Sequence, residues 1–466
     1  MKYVSTRARA PRLGFADTLL AGLARDGGLY VPQKFPKFSR AKIAALQGRG
    51  YADIAGAVMA PFVEGAVARK DFERMVAETY AGFDHAAVAP LVQIGPDRWV
   101  MELFHGPTLA FKDYALQLVG RLFDHVLKKR RQRVVIVGAT SGDTGSAAIE
   151  ACRDREAIEI FILHPRGRVS EVQRRQMTTV ASANVHNIAV EGTFDDCQDL
   201  VKAMFNDLAF RDSHNLSAVN SINWARIMAQ VAYYFAAGAA LGAPARQLSF
   251  AVPTGNFGNV YAGYVAKRMG LPIGRLFVGS NRNDILNRYL ATGVMLAQPV
   301  EPTTSPSMDI QVSSNFERLL FDAWGRDGRA LAQAMEDFRK TGRADFGRAR
   351  WKRISALFAG FRLDDAGTAK AIRDIHRATG LILDPHSAIG AAAGLALHKP
   401  RDGALVALAT AHPAKFPDAV EAACGIRPAL PARLADLLTR PERCATLNND
   451  ARAIKAFIAE RLQSRR

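Results

Sequence analysis

The chain has 466 residues, 49 % of them hydrophobic and 23 % charged, the proportions of an ordinary globular protein long enough for two or three domains. No run reaches the roughly 18 apolar residues of a membrane span, and the opening MKYVSTRARAPRLGF lacks the apolar stretch of a secretory signal. A formal charge of +18 brings nucleic acid to mind as a partner, but the Lys and Arg residues are dispersed and no stacking aromatics are interleaved with them, which argues against it.

The four cysteines, Cys152, Cys197, Cys424 and Cys444, are far apart and form no CxxC pair, so a reduced cytoplasmic protein is expected. The ten histidines show no metal-ligand spacing, and no metal site is expected. In chain order, residues 1–95 read as mixed short elements around the Gly/Pro loop DGGLYVPQKFP at 26–36. The basic cluster KKRRQR at 128–133 suits a solvated helix end before a strand.

From there apolar strands alternate with helix-like segments. Strands are predicted at 134–137, 158–163, 186–190, 248–253, 276–279 and 405–409. Helices are predicted at 144–152, 169–177, 259–269 and 284–290, and at 193–207 with Thr193 as cap and acidic residues in the first turn. This alternation implies an α/β fold of parallel sheets with helices on both faces. Ligands in such folds sit at the carboxyl ends of strands. The Arg-rich stretch 322–377 is helical in pattern and is assigned to packing.

Five segments carry candidate chemistry. In ELFHGPTLAFKDYALQLVG (102–120), Lys112 follows the apolar Leu109-Ala110-Phe111. Partial burial favours a neutral amine, the form that attacks a carbonyl. In VGATSGDTGSAAIEA (137–151), a Gly/Ser/Thr turn between strand and helix can hold a carboxylate or phosphate, with Ser141 and Thr144 adding hydroxyls. It has neither the GxGxxG of a dinucleotide fold nor the GK[ST] of a P-loop. VPTGNFGNVYAGY (252–264) repeats the strand–turn–helix arrangement with Gly255, Asn256, Phe257, Gly258 and Asn259. VNSINWARI (219–227) offers Ser221 and Arg226, a hydroxyl and a guanidinium suited to a phosphate monoester, while Ser221 or Asn223 serves equally as a helix cap. In ALATAHPAKFPDAV (407–420), Thr410 falls at the carboxyl end of a strand, where its hydroxyl can bond a pyridine nitrogen.

HGPTLAFKD, GATSGDTGSAA, NSINWARI, PTGNFGN and TAHPAKFP, in this order, closely resemble the threonine synthases. These belong to the pyridoxal-phosphate (PLP) enzymes that include tryptophan synthase β and cysteine synthase. YVSTR and DGGLYVPQ resemble the N-terminal domain of the longer threonine synthase branch, so the likeness runs from about residue 3 to about 420.

The resemblance implies a tryptophan synthase β-like fold with an additional N-terminal domain. The expected domains are residues 1–95, a smaller α/β domain at 96–245 with the lysine segment and substrate loop, and a larger cofactor-binding α/β domain at 246–466. It implies PLP as cofactor, held covalently by Lys112. Gly255, Asn256, Phe257, Gly258 and Asn259 would take the cofactor phosphate, and Thr410 would face its pyridine nitrogen. Ser141 and Thr144 would hold the substrate's carboxylate or phosphate, and Ser221 and Arg226 its phosphate. Many relatives carry Asn where this chain has Asp143, which is expected beside the cofactor in a role left open. The implied reaction turns O-phospho-L-homoserine and water into L-threonine and phosphate, with Lys112 moving protons. A phospho-lyase of the same architecture, yielding a 2-oxo acid, is the alternative. Quaternary state stays open between monomer and homodimer.

Overall fold

The computed structural model describes residues 1–217 and 221–463. Val219 and Asn220, at the start of the VNSINWARI segment, lie outside the described residues. The chain divides into two compact units, residues 1–115 with 221–428 and residues 116–220 with 429–466.

The first unit is built on a six-stranded sheet ordered Phe358–Arg362, Ile273–Ser280, Leu248–Pro253, Ala404–Ala409, Arg98–Glu102 and Leu91–Gly95. All neighbours are parallel except the last pair, which is antiparallel. Its two innermost strands, LSFAVP and ALVALA, are buried at every position. Strands covered on both faces read as continuous apolar runs, not alternating ones. Helix Pro385–Leu397 covers one face with Ala388 and Ala391, in a core with Val100, Phe277 and Leu405.

The N-terminal segment belongs to this unit. Residues 1–95, expected as mixed short elements, contain helices Tyr51–Val63 and Arg69–Tyr80 beside the small antiparallel pair Tyr3–Ser5 and Tyr30–Pro32. The first of these helices buries residues on nearly every side, so no apolar stripe marks it in the sequence. Arg7 and Thr6 bind the carboxylate of Glu317, both oxygens of which receive the Arg7 guanidinium, at 3.0 and 2.8 Å.

The second unit has an all-parallel five-stranded sheet, ordered Ala445–Asn448, Val185–Glu191, Ile158–Pro165, Val134–Ala139 and Leu216–Ser217. Helix Phe194–Asn206 is capped by Thr193 in a reciprocal capping box with Asp196. Helix Ala451–Gln463 adds Ile454 and Ile458, both fully buried, to this unit's core.

The compact units are not cut at the expected residues 95 and 245. Strand Arg98–Glu102 pairs with Ala404–Ala409, and helix Trp224–Ala240 packs on helices Tyr51–Val63 and Gly258–Met269, so both belong to the first unit. The last residues belong to the second unit because Ala445–Asn448 extends its sheet. All four cysteines are free thiols. Among the described residues no helix is long and apolar enough to cross a membrane.

Candidate active site

Lys112 opens helix Lys112–Arg130 and is 8 % exposed. A dense local network fixes its approach. The Asp113 carboxylate accepts from the Thr108 backbone N–H and hydroxyl, at 2.8 and 2.7 Å. A Cβ on Gly106 would stand 2.4 Å from that of Asp113, so only glycine permits the turn. Leu109 takes a left-handed backbone, φ 62°, and the fully buried Lys415 ammonium donates to the Thr108 carbonyl at 2.7 Å. Phe111 N–H donates to the Thr410 carbonyl at 2.8 Å, and His412 N–H to the Leu109 carbonyl at 3.0 Å. HGPTLAFKD and TAHPAKFP, more than 290 residues apart in the chain, thus form one structure, joined by a β-bridge between Ala110 and Ala411. Thr410 follows directly on strand Ala404–Ala409 and is buried.

The turn after strand Leu248–Pro253 carries Gly255–Asn256–Phe257. Phe257 is left-handed, φ 61°, and caps helix Gly258–Met269, whose first N–H groups lack intrahelical acceptors. A Cβ on Gly255 would meet the Ser307 carbonyl oxygen at 2.7 Å. Asn259 is held by two tyrosines of helix Trp224–Ala240. Tyr233 donates to its Oδ1 at 2.5 Å and Tyr234 to its backbone carbonyl at 2.8 Å. Its Nδ2 is buried and has no hydrogen-bond partner among the described residues.

Arg226 lies in the first turn of the same helix, 3 % exposed, and burial pushes its guanidinium down to about 10. Its Nε and Nη1 are buried without a partner among the described residues. The helix cap is Asn223, whose Oδ1 accepts from Ala225 N–H at 3.0 Å, so Ser221 is not the cap. The Ser221 carbonyl accepts from Asn315 Nδ2 at 3.1 Å.

Lys112, Gly255, Asn256, Phe257, Gly258, Asn259, Thr410, Ser221 and Arg226 all belong to the first unit. Ser141, Asp143 and Thr144 belong to the second, at the turn after strand Val134–Ala139. Asp143 is buried, and its Oδ1 accepts from Gln173 Nε2 at 2.7 Å. Thr140 Oγ1 accepts the N–H groups of Gly142 and Gly145, which shapes the turn.

Sequence reasoning passed over the segment SPSMDIQVSSNFER (305–318). The Lys112 ammonium reaches the Ser307 hydroxyl at 3.5 Å. Ser313 Oγ donates to the Gly255 carbonyl at 2.5 Å, and Asn315 N–H to the Asn256 carbonyl at 3.1 Å. The segment has no periodicity and no Gly-rich signature to expose it. Asp384, His386 and Ser387, at the start of helix Pro385–Leu397, were also missed, as were Tyr233 and Tyr234.

Three family models match the chain: "Threonine synthase N terminus" over residues 2–80, "Pyridoxal-phosphate dependent enzyme" over 86–410 and "Threonine synthase, C-terminal" over 387–458. The threonine synthase of Pseudomonas aeruginosa is 55 % identical over 99 % of this chain and 98 % of its own. The chain belongs to the threonine synthase family. Among solved structures, PLP-bound threonine synthase from Brucella melitensis superposes with a TM-score of 0.97 at 55 % identity, and yeast threonine synthase with 0.94 at 38 %, each over 99 % of both chains. The threonine synthase family is one of PLP enzymes, and its fold, parallel sheets flanked by helices with a threonine synthase N-terminal domain, is the one expected from the sequence.

Proposed function

We propose that this chain is a threonine synthase that converts O-phospho-L-homoserine and water into L-threonine and phosphate, with PLP held by Lys112. The observation that carries the reading is Lys112 itself: a buried lysine at a helix start, at the end of a segment that Leu109 and Phe111 pin by hydrogen bonds to the Thr410 loop. The rest of the first unit fits the cofactor. The turn at Gly255 and the first N–H groups of helix Gly258–Met269, which have no intrahelical acceptors, suit a phosphate. Asn259 Nδ2 and two nitrogens of Arg226 are buried donors without an acceptor among the described residues, which two phosphate groups would supply.

In this reading Gly255, Asn256, Phe257, Gly258 and Asn259 take the cofactor phosphate, and Thr410 Oγ1 bonds the pyridine nitrogen. Ser221 and Arg226 bind the substrate phosphate, which Arg226 also stabilises as it leaves. Ser141 and Thr144 are assigned to the substrate and Asp143 to the cofactor, the last in a role left open. Bound PLP supplies an electron sink that makes protons beside the substrate's amine-bearing carbon removable. The Lys112 amine would move those protons.

The test mixes PLP-loaded protein with O-phospho-L-homoserine and quantifies phosphate, threonine and 2-oxobutyrate together. Equal phosphate and threonine is the expected result. Phosphate with 2-oxobutyrate would make the chain a lyase on the same scaffold, and no phosphate would remove the substrate assignment. Lys112→Ala is expected to lose the visible absorption of the lysine-bound cofactor together with turnover; a coloured, active variant would refute the role of Lys112.

A further inference from the structure

Resting on the reading that Lys112 holds the cofactor, we infer that Asp384 is a positioning residue that sets both the lysine end and the pyridine end of the PLP site through two separate hydrogen-bond chains. Asp384 is fully buried at the cap of helix Pro385–Leu397. Its Oδ2 accepts from His386 Nδ1 at 2.6 Å and from His386 N–H at 3.0 Å. With Nδ1–H committed to the carboxylate, His386 Nε2 is left as an acceptor, and it receives the Ser307 backbone N–H at 3.2 Å. Ser307 in turn stands within 3.5 Å of the Lys112 ammonium through its hydroxyl, and its carbonyl oxygen lies against Gly255. One branch therefore runs Asp384, His386, Ser307, Lys112.

The other branch leaves from Oδ1. This oxygen accepts from Ser387 N–H at 3.1 Å and from the Ser387 hydroxyl. Ser387 Oγ, its proton spent on the carboxylate, accepts the backbone N–H of Thr410 at 2.8 Å. Asp384, His386, Ser387 and Thr410 are 0, 4, 1 and 5 % exposed, so water does not compete for these bonds. An aspartate needs only two backbone acceptances to cap a helix. Asp384 makes both and in addition accepts on each oxygen from a side chain, one leading through Ser307 to Lys112 and the other to Thr410. A carboxylate is the group that does this, because it accepts on every lone pair and forces one tautomer on the histidine.

The experiment compares Asp384→Asn, His386→Ala, Ser387→Ala and the double variant Asp384→Asn/Ser387→Ala. Each is measured for PLP dissociation constant of the apo-protein, for kcat and KM, and for melting temperature. Asn caps a helix as well as Asp, so the helix start survives in the first variant. His386→Ala is expected to lower kcat about 10- to 100-fold with little change in KM, the size of effect expected from a misplaced reacting group. Ser387→Ala is expected to weaken PLP binding about 5-fold, the worth of one neutral hydrogen bond. Asp384→Asn is expected to do both. In the double variant the loss of PLP affinity should equal that of Asp384→Asn alone, because one chain cannot be broken twice. Independent losses that multiply, or single variants with unchanged kcat and PLP affinity, would overturn the inference. If Asp384→Asn does not fold, the kcat effect of His386→Ala and the affinity effect of Ser387→Ala decide between the same two outcomes. A wild-type protein that binds no PLP would instead bring down the Lys112 assignment, and this inference with it.

Discussion

A guanidinium buried with two nitrogens unpaired is costly unless an anion arrives, and among the described residues Arg226 is such a group. Arg226→Leu should therefore raise the melting temperature of the ligand-free protein while raising KM for the phosphorylated substrate roughly 10- to 100-fold, the worth of a charged hydrogen bond. PLP should stay bound. Calorimetry of the apo-protein and steady-state kinetics check the two halves, and loss of PLP would move Arg226 to the cofactor's phosphate. Gly255→Ala puts a methyl group 2.7 Å from a backbone oxygen that cannot swing away, and should weaken PLP binding by about 1–3 kcal/mol, read by cofactor titration. Lys112 and Gly255 could be singled out in the sequence because the roles proposed for them demand a particular residue type. Ser307, His386 and Asp384 were not, since the chain that joins them to Lys112 runs through contacts distant in sequence, His386 to Ser307 and Ser307 to Lys112, and a serine or aspartate suits many ordinary positions.

At the scale of elements, helix Phe316–Ala323 is tied to the N-terminal strand pair by buried charges. Glu317 receives Arg7 and Thr6, and the fully buried Arg318 donates to the Tyr30 carbonyl, at 3.0 Å from Nη2, and to that of Ile222. Glu317→Ala leaves the Arg7 guanidinium buried without its counter-ion, and should cost about 3–5 kcal/mol of stability in chemical denaturation. Strands 248–253 and 405–409 could be placed within a residue, because a strand buried on both faces is a short unbroken apolar run. Helix Phe194–Asn206 was equally plain through its cap. Leu91–Gly95 and Arg98–Glu102 escaped notice because they are partly exposed and short, and Ala445–Asn448 because its four residues alternate without a strong apolar face.

For the whole molecule, the decisive feature is that each unit is assembled from two separated stretches of chain. Sequence periodicity is local and holds no record of which stretches close on each other, so the expected boundaries at 95 and 245 followed the order of motifs. Removing residues 445–463 should strip Ile454 and Ile458 from the second unit, at about 1.5–3 kcal/mol each, and leave strand Val185–Glu191 as an open edge. Hydrogen exchange should then quicken at the amides of that strand while the six-stranded sheet keeps its protection; unchanged exchange would show that the terminal strand and helix are dispensable.

The same late pairing has a bearing on synthesis at the ribosome. Val185–Glu191 emerges long before its neighbour Ala445–Asn448 exists, and at roughly 5–20 residues per second the gap lasts roughly 10–50 s. Throughout that interval the nascent chain presents an unpaired apolar strand edge, the kind of surface that joins to other chains. Yield of native protein should accordingly depend on holdase chaperones during translation far more than on the stability of the finished fold.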